Sequence, residues 1–259
     1  MEMPVRIERS NVPLTFDERP LEKRIGLIIL ATDHTTEPDF RRMVASERIG
    51  VYVSRVPYAN PVTPENLKRM QPALTQAAQL ILPDEALDAV MYSCTSASVV
   101  IGDEEIARAI RAAKPGAPVV TPPLAAVHGL KALGIRRISV LTPYTEETSA
   151  PMAEYFAGHG FAIESFTCLG LDDDREMARI SPGALVEAAH RATAPAAEAL
   201  FISCTGLRSA GVAAEIETAI GRPVVTSNLA TAWACLRLCG DATARPELGR
   251  LMTIAGYPG

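Results

Sequence analysis

Aromatic side chains are scarce in this sequence: Phe, Trp and Tyr make up 5% of its 259 residues, with a single Trp. That scarcity argues against a stacking platform for bases or sugars. Positive charge is not in excess either, since 25 Lys and Arg stand against 30 Asp and Glu and leave a net charge of −5. With a pI of about 5.5, no electrostatic case exists for a nucleic-acid partner. No apolar run approaches the roughly 20 residues of a membrane span, so no membrane partner is expected. The first 24 residues are charged and Pro-containing and lack the apolar core of a secretory leader. Neither a GxGxxG nor a P-loop pattern occurs, which leaves dinucleotide and nucleotide cofactors unsupported. The five cysteines are odd in number and have no disulfide-framework spacing; a reducing cytoplasm is their expected setting.

What the chain does have is a large apolar fraction, 48%, beside 21% charged residues. That balance describes a globular protein of one large or about two ordinary domains. Its most informative stretches are DAVMYSCTSASVV at 88–100 and EALFISCTGLRSA at 198–210. Each is an apolar run that ends in Cys-Thr and small residues, as a buried parallel strand ends at its carboxyl edge. Loop amides and helix N-termini converge at that edge and bind ligands there.

The remaining elements fall into place around these two. Strands are expected at 24–30, 49–55, 88–93, 118–121, 136–142, 162–166, 199–203 and 223–226. Helices are expected at 37–46, 64–82, 102–113, 124–134, 146–158, 183–192, 210–220 and 229–239. The segment Gly116 to Ala125 (GAPVVTPPLA) matches Gly221 to Ala230 (GRPVVTSNLA), each following a Cys-Thr strand and a helix. This internal repeat predicts an α/β fold of two pseudo-symmetric lobes, each a small parallel sheet flanked by helices, with the active site in the interlobe cleft. The expected division is an arm at 1–22, a first lobe at 23–120 plus 227–259, and a second lobe at 121–226. The unpatterned arm points to a homo-oligomer.

In this arrangement Cys94 and Cys204 face one another across the cleft. A thiol at a helix N-terminus gains thiolate character from the dipole and free amides. The amides and hydroxyls of Thr95, Ser96, Thr205 and Gly206 offer a cradle for a substrate carboxylate. Two thiols on opposite faces of a planar carbon can move a proton from one side to the other without a cofactor or metal. Two buried packing cysteines are the plain alternative, and the repetition of Cys-Thr at both strand ends weighs against it. Cys235 and Cys239, four apart on the last helix, read as core, and Cys168 as a packing residue after a strand. His34 reads as a polar loop residue.

With these residues in view, the chain resembles the maleate isomerase branch of the aspartate/glutamate racemase superfamily, which includes the arylmalonate decarboxylases. The resemblance rests on TTEPDF, SCTSAS, LTPYTEE, SCTGLRS and SNLATAW, and runs from about Ile25 onward. It implies a cofactor-independent isomerase or racemase acting on a small carboxylate, with Cys94 and Cys204 catalytic. It implies that Tyr144, with Thr145 beside it, binds substrate. The decarboxylases lack the first of the two cysteines. Asp33 and Asp174 stand where the similar maleate isomerases carry Asn, and two carboxylates would repel a dianion such as maleate by a few kcal/mol at intermediate dielectric. This departure moves the resemblance toward ectoine-utilisation proteins, and the expected substrate toward an ectoine-related amino acid or amidine. Competing readings are maleate cis–trans isomerisation, a carbon–carbon lyase using Cys204 alone, and a non-catalytic small-molecule binder.

Overall fold

The computed structural model describes residue 5 and residues 7–257. Eight strands form two parallel four-stranded sheets. The first contains β1 (Lys23–Leu30), β2 (Ile49–Val56), β3 (Ala89–Ser93) and β4 (Val119–Val120). The second contains β5 (Arg137–Tyr144), β6 (Ala162–Leu171), β7 (Ala199–Ile202) and β8 (Val224–Thr226). The sheets share one topology, β2-β1-β3-β4 and β6-β5-β7-β8, so the internal repeat is a repeat of fold. β1, β3, β5 and β7 are buried over nearly their whole length, as expected for parallel strands covered on both faces. In both sheets the Cys-bearing strand lies between the first strand of its lobe and the short last one.

The repeated Pro-Val-Val-Thr blocks lead into two helices, Pro122–Ala132 and Ser227–Leu238, which pack against each other. Ser227–Leu238 is buried on every side through Leu236 and also contacts β3 and β4. An all-round apolar helix belongs inside a core. Cys235 lies within it and Cys239 caps its end, both buried, and Trp233 is anchored through an Nε1–H donated to the Ile254 carbonyl at 2.9 Å.

Three local expectations are corrected. The helix expected at 64–82 is broken into Pro64–Lys68, a 3₁₀ turn at Gln71–Ala73 and Leu74–Gln79. Pro72 is the cause, because it lacks an amide hydrogen and disfavours helical geometry at Gln71. A helix begins directly after Cys94, at Thr95–Ile101, and Gly102 at φ 97° separates it from Asp103–Arg111. Its Ser- and Val-rich sequence has poor intrinsic propensity and hid it; the Ser98 hydroxyl donates to the Cys94 carbonyl at 2.7 Å. β6 runs to Leu171, so Cys168 lies within an edge strand and not after it.

Residues 7–22 have no regular secondary structure, and Val12, Leu14 and Phe16 are exposed. No described helix is long and apolar enough to cross a membrane.

Candidate active site

Both thiols line one narrow cavity of about 30 Å³, reached by the carboxyl ends of the strands in each sheet. Its wall brings together Cys94, Ser96, Tyr144, Cys204, Thr205 and Gly206 from the sequence-derived set, with Asp33 and Asp174 at other points. Thr32, His34, Tyr58, Val62, Leu67 and Met177 complete much of the rest, and sequence reasoning assigned none of them to substrate binding.

The two thiols are held differently. Cys94 is the N-cap residue of Thr95–Ile101 in extended conformation; its sulfur makes no cap hydrogen bond and lies 3.8 Å from the Ser96 hydroxyl. Cys204 is followed by a turn, and its φ of 91° lies where non-glycine residues rarely go. Such a conformation costs on the order of 1–3 kcal/mol and persists when its surroundings impose it. The Tyr144 hydroxyl and the Gly206 and Leu207 amides lie near the Cys204 sulfur and favour its ionised form. A β-carbon on Gly206 would sit 3.4 Å from that sulfur, at van der Waals contact, so the turn passes close to the thiol.

What imposes the Cys204 turn is the opposite lobe. Thr35 donates to the Gly206 carbonyl at 2.8 Å, and the Thr205 hydroxyl donates to the Ser93 carbonyl at 3.2 Å. Asn228 donates to the Thr205 carbonyl at 2.9 Å and to the buried Asp39 carboxylate at 2.9 Å. These bonds tie the residue before one thiol to the residue after the other. Removing one partner leaves buried polar groups unpaired, so Asn228→Ala is expected to destabilise the fold by about 1–3 kcal/mol in urea unfolding. An unchanged midpoint would show that this brace carries no stability.

Some expectations are not met in detail. Thr95 points away from the cavity, its hydroxyl paired with Ser227 at 2.8 Å. Thr145 is the N-cap of Glu146–Gly158, its hydroxyl accepting from the Thr148 amide, and it is absent from the cavity wall. Asp33 lines the cavity, but its oxygens accept from the Thr35 and Thr36 amides at 2.8 Å each and from the Thr36 hydroxyl at 2.7 Å. It shapes the loop before Thr36–Met43, and burial raises its pKa. Asp174 accepts from the Thr32 hydroxyl and from Asn60 at 2.7 Å, and retains lone pairs toward the cavity it lines.

The expected thiolate character is also reversed. Burial pushes Cys94 up to about 12 and Cys204 up to about 11, outweighing the amide and hydroxyl donors around each sulfur. Asp33 adds a smaller upward push on both. Both thiols are therefore protonated near neutral pH, and Tyr144 favours ionisation of Cys204. Since the thiolate is the reactive form, alkylation of Cys94 and Cys204 by iodoacetamide should accelerate with pH through the alkaline range. Mass spectrometry of quenched samples reads this; a plateau below pH 9 would contradict it. None of the described residues lining the cavity is Lys or Arg, and no described cluster of three or more His, Cys, Asp or Glu is arranged to hold a metal.

A pair of pseudo-symmetric parallel sheets that delivers one thiol from each lobe into a shared cavity defines a two-cysteine α/β enzyme architecture. The model for the family described as arylmalonate decarboxylase matches residues 60–252, and the chain belongs to that family. Arylmalonate decarboxylase of Bordetella bronchiseptica is 35% identical over 139 residues, a match covering 52% of this chain and 58% of that protein. Maleate isomerase of Alcaligenes faecalis is 25% identical over 245 residues, covering 89% and 96% of the two chains. Among solved structures, Nocardia farcinica maleate cis–trans isomerase bound to TRIS superposes with a TM-score of 0.82 at 25% identity, covering 89% of this chain and 98% of that one. A liganded double mutant of arylmalonate decarboxylase gives a TM-score of 0.79 at 29% identity, covering 88% and 98%.

Proposed function

We propose that this chain is a cofactor-independent isomerase or racemase in which Cys94 and Cys204 transfer a proton across a small carboxylate substrate. The observation that carries this reading is the presence of both thiols on the wall of one cavity that Tyr144 also lines. In the racemase form, Cys204, once ionised in the alkaline range, takes the α-proton and becomes a thiol. The released electron pair moves into the carboxylate as an enediolate. The Cys94 thiol then donates its proton to the opposite face and becomes a thiolate, so the pair ends with roles exchanged. Proton transfer by positioned groups supplies typically 10²–10⁴ in rate.

The preferred substrate is an ectoine-related amino acid or amidine, a carboxylate carrying nitrogen. Asp174 and Asp33 on a wall without Lys or Arg favour such a group over a second carboxylate. Maleate cis–trans isomerisation is the second reading, favoured by the nearly full-length similarity to maleate isomerases. Proton NMR of purified protein with maleate, single enantiomers of short amino acids, and ectoine-type amidines decides between them. Fumarate from maleate selects the second reading; loss of optical purity selects the first. No change with any of them refutes both.

Assembly into a homo-oligomer belongs to the same proposal, supported by the exposed apolar residues of the arm. Deletion of residues 1–18 should lower the mass seen in sedimentation. An unchanged mass, or a monomeric full chain, would refute a role for the arm.

A further inference from the structure

The cavity wall contains a buried polar group whose partner the protein does not provide. Tyr58, on the loop after β2, lines the cavity, and its hydroxyl oxygen is buried with no hydrogen-bond partner. A buried phenol ordinarily has one. Charges at Cys94, Asp174 and Cys204 would all act on this hydroxyl, so it is close to the reacting centre as well as to Asp174.

Asp174 supplies the complementary property. Its carboxylate takes the Thr32 hydroxyl and the Asn60 amide, which fixes its orientation and leaves acceptor capacity unused. The Arg175 guanidinium is spent on the adjacent Asp173, with Nε 2.9 Å from its carboxylate. Tyr58 therefore offers a donor and Asp174 an acceptor on the same wall. Val62, Leu67 and Met177 line the cavity beside them and present only apolar surface to a carbon chain.

We propose that Tyr58 and Asp174 together recognise a planar amide group, so that the substrate is a small monocarboxylate bearing a carboxamide or N-acyl group. The amide carbonyl accepts from Tyr58 and its N–H donates to Asp174. A second carboxylate has acceptors only and meets Asp174 unfavourably. An ammonium has donors only and leaves the Tyr58 proton without an acceptor. This deepens the proposed function and rests on its assignment of the cavity as the substrate site, among nitrogen-bearing carboxylates selecting the amide.

Ligand-observed NMR titration with three unreactive probes of similar length tests the proposal: succinamate, succinate and 4-aminobutyrate. The full-length protein is compared with Tyr58→Phe and Asp174→Asn, each first checked for a cooperative thermal transition. Tyr58→Phe removes only an unpaired oxygen and should fold normally. Succinamate should bind the unaltered protein about tenfold or more tighter than succinate. Tyr58→Phe should weaken succinamate by about five- to tenfold and leave 4-aminobutyrate within about twofold. Asp174→Asn should bring succinate level with succinamate. Equal binding of succinamate and succinate by the unaltered protein would overturn the proposal. So would 4-aminobutyrate binding tightest with no response to Tyr58→Phe. These readouts need no thiol chemistry, so the expected binding pattern without turnover of any substrate would remove the enzymatic reading and leave amide recognition standing.

Discussion

Cys94→Ser is expected to lower turnover by about 10²–10⁴-fold while leaving one half of the reaction intact. The groups that favour the Cys204 thiolate, Tyr144 and the Gly206 and Leu207 amides, remain, and none of them comes from Cys94. It can still remove a proton from the face it addresses and return one to the same face. In D₂O, one enantiomer of the substrate should therefore exchange its α-proton without inversion, and the other should exchange slowly. Cys204→Ser should show the opposite enantiomer preference. Serine conserves shape, so both variants should retain the wild-type melting transition. If Cys94→Ser retained full racemisation or isomerisation, one thiol would suffice, and the lyase-like use of Cys204 alone would account better for the site. The same variants report which thiol starts the cycle. With Cys204 pushed to about 11 and Cys94 to about 12, both rest as thiols near neutral pH, and kcat/KM should rise with pH through the alkaline range.

Asp174→Asn is expected to change what the cavity accepts. A carboxylate about 5 Å from a second carboxylate costs on the order of 3 kcal/mol at an effective dielectric of 20, or roughly 100-fold in binding. Asparagine removes that charge and can donate to an anion. Maleate turnover, read as the appearance of fumarate by NMR, should rise by about 10- to 100-fold relative to the unaltered protein. Turnover of a nitrogen-bearing carboxylate should fall. Asn60 and Thr32 hold residue 174 in place through side chains that remain, so the gain should come through KM more than through kcat. A decrease in maleate turnover would show that Asp174 serves the loop and not the substrate. Asp33→Asn is a weaker experiment, because the Asp33 oxygens are occupied by Thr35 and Thr36.

The architecture was legible because the strongest signals in the sequence are the ones that parallel sheets impose. β3 and β7 are apolar runs that stop at Cys-Thr, and both strands lie where those runs predict. The repeated Pro-Val-Val-Thr blocks end in β4 and β8 and lead into the two helices of the interlobe seam. The thiols, Tyr144, Thr205 and Gly206 meet in one cavity for the same reason: strand ends converge. What escaped notice depends on side-chain direction and on partners distant in the chain. Thr95 and Ser96 are adjacent at the start of one helix, yet only Ser96 faces the cavity, and Thr95 turns to Ser227. Asn228 bridges Asp39 and Thr205, contacts 189 and 23 residues away. Its neighbours in SNLATAW drew attention as a motif, but no local pattern marks its side chain as the brace of the Cys204 turn. Tyr58 lies in a loop without periodicity, and only its unpaired buried hydroxyl singles it out. The thiol pKa values could not be anticipated from helix position, because complete burial overrides the amides that surround each sulfur.

The central claim is that Cys94 and Cys204 act from opposite faces of one substrate carbon. It is tested most directly by following a single enantiomer of the reacting substrate in D₂O at early turnover, with NMR and chiral separation. Two thiols on opposite faces predict deuterium in the product enantiomer, while the remaining substrate enantiomer stays protonated. Deuterium appearing equally in both enantiomers from the first turnovers would mean that one group, or solvent, serves both faces, and would contradict the account.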